Sequence, residues 1–211
     1  MKKEDLPKKI AVFPLSNFII FPKTSVPLNI FEPRYIDMVN DTMKNNKFVG
    51  MIQPKKLNEI TDNNSELHNI GCLGKITNFT ETSDGRYQIN LEGTKRFRVK
   101  KILDHKHKFI MIDGEELNYK INFKKQTSEL SSKLLSNFKN YLNIKKIEFN
   151  TSEFENLDAL NLAKIISVIS PLDHLTKQML LEFNGSDDFC ENLISVLEIE
   201  INNFDKNLKI N

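Results

Sequence analysis

The spacing of apolar residues changes character about halfway along the chain. In the first half the apolar runs are short: residues 9–15 (KIAVFPL), 25–31 (SVPLNIF) and 47–54 (KFVGMIQP) each read as a strand. Pro14, Pro22 and Pro27 fall in or beside these runs. Proline has no N–H to give a ladder, so it predicts edges and bends there. Over residues 33–45 the period lengthens: Tyr35, Ile36, Val39 and Met43 share one side of a helix, and Asp37, Asp41 and Lys44 share the other. A polar loop is expected over residues 55–69. Two further arms, residues 71–82 and 86–93, flank Ser83-Asp84-Gly85, and Asp-Gly between such arms predicts a hairpin. In the second arm Tyr87, Ile89 and Leu91 alternate with Arg86, Gln88 and Asn90, the mark of a half-buried strand, and Phe97 and Val99 continue its inner side. Gly71 and Gly74 predict a bulge or a close backbone approach.

After about Ile121 the pattern is helical throughout. Leu130, Leu134, Phe138 and Leu142 recur every fourth residue. Residues 157–170 are apolar on most sides, which predicts a central helix. Ser170-Pro171-Leu172-Asp173 reads as the start of the next helix, with Ser170 as its cap, and Asn184-Gly185 reads as its end. The last helix presents Phe189, Leu193, Val196, Leu197, Ile201 and Phe204; Asp187 and Asp188 open it, and Lys206 and Lys209 close it. The predicted fold class is therefore α+β: strands with one helix over residues 1–120, then a helical bundle over 121–211.

Composition changes this picture little. The chain has 211 residues, 39% hydrophobic and 27% charged, with a net charge of +2. Such a net charge gives no global drive toward nucleic acid or an anionic membrane. No apolar run approaches the roughly 20 residues of a membrane span, and the N-terminus lacks a signal-like apolar core, so a cytoplasmic protein without a membrane partner is expected. The two cysteines, Cys72 and Cys190, form no Cys-x-x-Cys pair and read as buried thiols in a reducing compartment.

The layout of charge is more informative than its total. Residues 95–125 hold ten Lys and Arg against four Asp and Glu, whereas residues 147–205 hold two Lys against twelve Asp and Glu. Arg96, Arg98 and Lys100 would line one strand face, a candidate RNA contact. Few aromatics interleave with them for stacking, so pairing of the basic strand with the acidic helices is the preferred expectation, within one molecule or between two.

Catalytic chemistry is sparse. His105 and His107 alternate at strand spacing, with Asp104 and Asp113 as conceivable companions, but no further ligand completes a metal set. His68 and Cys72 lie about 13 Å apart on an extended chain, too far for a thiol–imidazole pair. His174 reads as a surface residue. There is no Gly-x-x-x-x-Gly-Lys-Ser/Thr, Gly-x-Ser-x-Gly or His-Glu-x-x-His stretch. No catalytic residue, metal or cofactor is expected.

Several blocks in one order carry a resemblance: VFPLSNFIIFPKTSVPLNIFEPRYIDMV, FVGMIQP, IGCLGKITNFTETSDGRYQINLEGTKRFRV and LAKIISVISPLDHLTKQMLLEF. Together they resemble the substrate-binding N-terminal domain of Lon proteases, most of all the small standalone bacterial members with Phe-Glu-Pro-Arg-Tyr. The resemblance implies a PUA-like, partly closed β-barrel followed by a helical bundle. It also implies a non-catalytic module that binds unfolded or specific polypeptide segments, with a separate protease or chaperone as a further partner. The ATPase and Ser-Lys protease of full-length Lon have no counterpart in these residues. Such proteins often carry an Arg early in the last helix, where this chain has Asp188, Phe189 and Cys190. PUA folds elsewhere bind RNA, which keeps an RNA-binding module as the alternative.

The barrel face and the groove beside the Pro33 helix are the expected contact region, through shallow apolar contact and edge-strand pairing. Phe21, Phe31, Arg34, Tyr35 and Met51 are its candidate residues, although Phe31 is expected to pack in the core. Glu32-Pro33-Arg34 reads as architecture: a carboxylate at a helix start, a proline in the first turn, and a guanidinium that can tie the turn to Glu32 or to loop carbonyls.

Overall fold

The computed structural model describes residues 6–16, 18–55, 66–104, 106–121 and 127–210, with the backbone alone from 205 onward. Among the described residues six strands, β1 (Lys9–Pro14), β2 (Ser25–Ile30), β3 (Phe48–Ile52), β4 (Ile70–Glu81), β5 (Tyr87–Leu103) and β6 (Ile110–Leu117), stand with five α-helices. The helices are α1 (Pro33–Lys44), α2 (Thr127–Lys145), α3 (Ala159–Ile169), α4 (His174–Glu182) and α5 (Ser186–Ile210). Two compact units result: Met1–Asn118 with Asp173–Leu181, and Tyr119–Leu172 with Glu182–Asn211. The α+β class and the partly closed barrel are as expected.

In the first unit β5 is long enough to serve two neighbourhoods. Its first residues pair with β2 and β4, and its later ones with β4 and β6. The ring closes as β4 pairs with β3, β3 runs parallel to β1, and β1 pairs with β6. Among the described strands β2 alone has a single partner, so it carries the open edge, with Pro27 in its middle. The Asp-Gly hairpin forms as predicted, with Gly85 at φ +79°. The bulge expected near Gly74 is a register shift between Leu73 and Gly74. Ile10, Val12, Phe48, Leu73, Phe97 and Ile112 are central to the barrel core.

Helix α1 buries Tyr35, Met38, Val39 and Thr42. The expected stripe is therefore rotated by part of a turn: Ile36 and Met43 are only half-buried. The Tyr35 ring sets the phase by packing on Phe13, with ring centres 4.2 Å apart.

The second unit is helical. Leu130, Leu134, Phe138 and Leu142 of α2 are all buried as the spacing predicts, and Asp158 caps α3 by accepting from the Asn161 N–H at 3.0 Å. The predicted start at Ser170 is corrected. Ser170 closes α3 with an extended backbone, ψ 138°, because the following Pro171 pushes it out of the helical region. Asp173, which with most of α4 belongs to the first unit, is the true cap of α4, its Oδ1 accepting from the N–H of Leu175 at 2.9 Å and of Thr176 at 3.0 Å. The Thr176 hydroxyl and these N–H groups lower the Asp173 pKa. This cap is present above the ordinary carboxylate range and is lost as pH falls through the depressed native value.

Lys146 ends α2 at φ +55°, with its N–H bonded to Asn143 O at 3.1 Å and that of Ile147 to Leu142 O at 2.9 Å. That is a Schellman close, whose left-handed position favours glycine. Lys146→Gly is expected to raise stability by about 1 kcal/mol, read as a higher urea midpoint with an unchanged slope.

Candidate functional site

The β2–α1 junction organises the most exposed aromatic of the first unit. Glu32 precedes α1 with an extended backbone (φ −72°, ψ 131°), and its carbonyl accepts from the N–H groups of Tyr35 and Ile36 at 2.9 and 3.0 Å. Its carboxylate does not cap the helix. It holds Arg34 instead, Oε2 accepting from Nη2 at 2.9 Å and from Nε at 3.1 Å. The guanidinium lies 4.6 Å from the centre of the Tyr35 ring. Tyr35 is buried, and its hydroxyl donates to Pro14 O at 3.5 Å. Burial pushes this phenol up to about 12, opposed by the nearby Arg34 charge. The charged pair around Pro33 thus spans the turn that opens α1.

Phe31 corrects the expectation of a core position: it is 62% exposed. Ile30 is the last residue of β2 to pair with β5 and points inward, so the alternation turns Phe31 outward. The Arg86 guanidinium, held to Asp84 at 2.9 Å, stands 6.0 Å from the Phe31 ring centre. The aromatic is therefore flanked by the Arg86–Asp84 pair and followed in sequence by Glu32, which holds Arg34. Sequence reasoning missed Arg86, although its place just past the Asp-Gly turn puts it beside the end of β2. Phe21 and Met51 are buried in the barrel. Their side chains and that of Tyr35 fill the interior and present no surface for contact.

The basic strand resolves differently from the expectation. Arg96 is 1% exposed and donates from Nη1 to Leu181 O at 2.8 Å, so it lines no outer face. Arg98 and Lys100 both reach Glu115, at 3.5 and 3.2 Å, and Lys95 reaches Glu116 at 2.6 Å. The partners of this strand are thus the acidic residues of neighbouring β6, where the sequence suggested the acidic helices. Those helices draw on α2 in turn, with Lys133 to Glu198 at 3.9 Å and Lys145 to Glu200 at 3.0 Å. The basic strand finds its partners on β6 because the β5–β6 register sets Arg98 opposite Glu115.

Both thiols are buried. Cys72 is buried with Sγ donating to Leu73 O at 3.7 Å. Burial, with Asp187 and Asp158 adding, pushes the Cys190 thiol up to about 12, and it donates to Ala159 O at 3.5 Å. His105 lies outside the described residues; His107 is exposed and stacks on Phe109 with ring centres 4.8 Å apart. Among the described residues no three His, Cys, Asp or Glu are grouped to hold a metal, and no helix is long and apolar enough to cross a membrane.

The family model for the ATP-dependent protease La (LON) substrate-binding domain matches residues 9–198. The chain belongs to the LON substrate-binding domain family. It is 29% identical over 202 residues to the Lon protease of Buchnera aphidicola subsp. Baizongia pistaciae, covering 92% of this chain and 25% of that one. The Lon protease of Escherichia coli K12 is 25% identical over 196 residues, with the same coverages of 92% and 25%. The chain therefore spans about 25% of the length of these two relatives. Among solved structures, a Lon N-terminal domain protein from Xanthomonas campestris superposes with a TM-score of 0.66 at 18% identity, covering 89% of this chain and 97% of the other. The N-terminal domain of Mycobacterium avium complex Lon protease gives 0.66 at 15% identity, covering 90% and 98%. Both likenesses place the LON substrate-binding fold on this chain.

Proposed function

We propose that this chain binds exposed polypeptide segments, performs no bond chemistry of its own, and uses Phe31 as the anchor of the contact. The observation that carries the reading is a large aromatic, 62% exposed, beside a turn spanned by the Arg34–Glu32 pair in a chain of the LON substrate-binding family. An exposed aromatic beside a guanidinium is the composition of a binding hot spot. Pro27 leaves the open β2 edge one donor short, so side-chain contact carries more of the affinity than added strand pairing. The buried Arg96 and the shared Glu115 leave the RNA alternative with little free charge. The module would act in the cytoplasm, beside a separate protease or chaperone.

The test is anisotropy titration of a dye-labelled, unstructured polypeptide. Phe31→Ala is expected to weaken binding about tenfold or more while leaving the thermal midpoint unchanged, because the side chain packs on little. Raising salt from about 50 to 200 mM should change the affinity little, whereas phosphate contacts would lose it steeply. Equal binding by wild type and Phe31→Ala, or no polypeptide binding at all, overturns the reading.

A further inference from the structure

Beside Phe31 the outer face of β2, β5 and β4 bears two cross-strand rows, Asn29–Gln88–Thr80 and Pro27–Asn90–Asn78. None of these six side chains is ionisable, although 27% of the chain's residues are charged. The rows line a shallow depression of about 650 Å³, bordered between them by the Leu28–Ile89 pair whose side chains turn inward. Charge resumes at both ends: the next row is Ser25–Glu92–Lys75, and past the other end stand Phe31 and Arg86. The Asn90 amide is oriented by donating to Ser25 Oγ at 2.9 Å and Thr77 Oγ1 at 3.4 Å. The side chains of Asn29, Asn78, Thr80 and Gln88 make no hydrogen bond among the described residues.

We propose that this uncharged strip is where the bound polypeptide lies, and that it selects an extended segment low in charge. The inference rests on the polypeptide-binding reading above and names its substrate class. Three considerations carry it. Electrostatic matching comes first: a Lys or Asp carried onto the strip gives up part of its hydration and finds no counter-charge within the two rows. Amides and hydroxyls, in addition, both donate and accept, so they match main-chain N–H and C=O groups whatever the client's sequence. The strip is about 10 Å across three strands and about 7 Å along them, room for about three extended residues leading to the Phe31 ring. A nucleic acid would want cations and stacking rings here, and the strip offers neither.

The test uses the full chain and three dye-labelled, unstructured peptides of equal length, each with one aromatic residue, differing only in a central block of Ser and Gln, of Asp, or of Lys. Wild type is expected to bind the neutral peptide about tenfold tighter than either charged one. Gln88→Glu, at an exposed position, is expected to shift preference toward the Lys peptide by about tenfold with no change in thermal midpoint. Equal binding of neutral and charged peptides by wild type, or an unchanged ranking in Gln88→Glu, overturns the strip. If Phe31→Ala weakens every peptide while Gln88→Glu re-ranks none, the anchor stands and the strip falls. If no peptide binds, both fall.

Discussion

Arg96→Ala is expected to lower the stability of the chain by about 3 kcal/mol, seen as a reduced urea midpoint. Arg96 is among the largest fully buried side chains, and its Nη1 donates at 2.8 Å to the carbonyl of Leu181, in the last turn of α4. A cation there faces the negative end of the helix dipole as well as a carbonyl without a helical N–H partner. Alanine removes the charge-assisted bond, leaves that carbonyl short of a donor and opens a cavity. Gln178, whose Nε2 donates to Ile70 O at 3.0 Å, remains as the other tie of α4 to the strands. The amides of α4 are therefore expected to gain hydrogen exchange more than those of β3 and β4. Arg96→Lys should recover only part of the loss, because an ammonium lacks the planar fork. An unchanged midpoint for Arg96→Ala would show that the side chain is an ordinary surface cation, as the RNA alternative requires.

Gly93→Ala is expected to cost about 4 kcal/mol or more and to leave the protein mostly insoluble on expression. A Cβ at this position would stand 2.1 Å from the carbonyl oxygen of Phe21. That neighbour is backbone and cannot swing aside. It is also pinned, because Lys23 N–H donates to Gly93 O at 2.7 Å and Gly93 N–H donates to Thr24 O at 2.8 Å. The Thr24 hydroxyl locks the same turn by donating to Phe21 O at 2.7 Å. The clash therefore spreads into the turn that leads to β2, the open edge beside the proposed site. Gly85→Ala is the control: its added Cβ meets nothing within 4 Å, and its φ of +79° limits the loss to about 1 kcal/mol. Gly93→Ala melting like the control would show that the turn yields at little cost.

Much of the fold was legible because much of it is local. The Asp-Gly hairpin, the alternation of Tyr87, Ile89 and Leu91, and the fourfold spacing along α2 depend on neighbours a few residues away, and each stands where the pattern put it. The helix start at Pro33 was read for the same reason, and Arg34 closes on Glu32 two residues back. The start of α4 was misread within an equally short window, because Ser170, Pro171 and Asp173 each carry a helix-start signal and only the backbone chooses among them.

The candidate site was legible as a region and illegible in its residues. Phe21, Phe31 and Tyr35 are all aromatics near prolines, and nothing in their spacing says that Phe31 alone faces solvent. Amphipathic period and local turn chemistry are written into consecutive residues, and by itself the sequence determined the first five strands, the hairpin, most of the helices and the place of the charged junction, but not β6. Burial of Arg96, exposure of Phe31, pairing of Glu115 with the basic strand and the uncharged rows across three strands were decided only by tertiary structure. Each depends on which residue comes to stand opposite which, as with Arg96 and Leu181, 85 positions apart. Register between distant segments is a property of the packed whole, set by the total burial it achieves, and no short window of residues contains it.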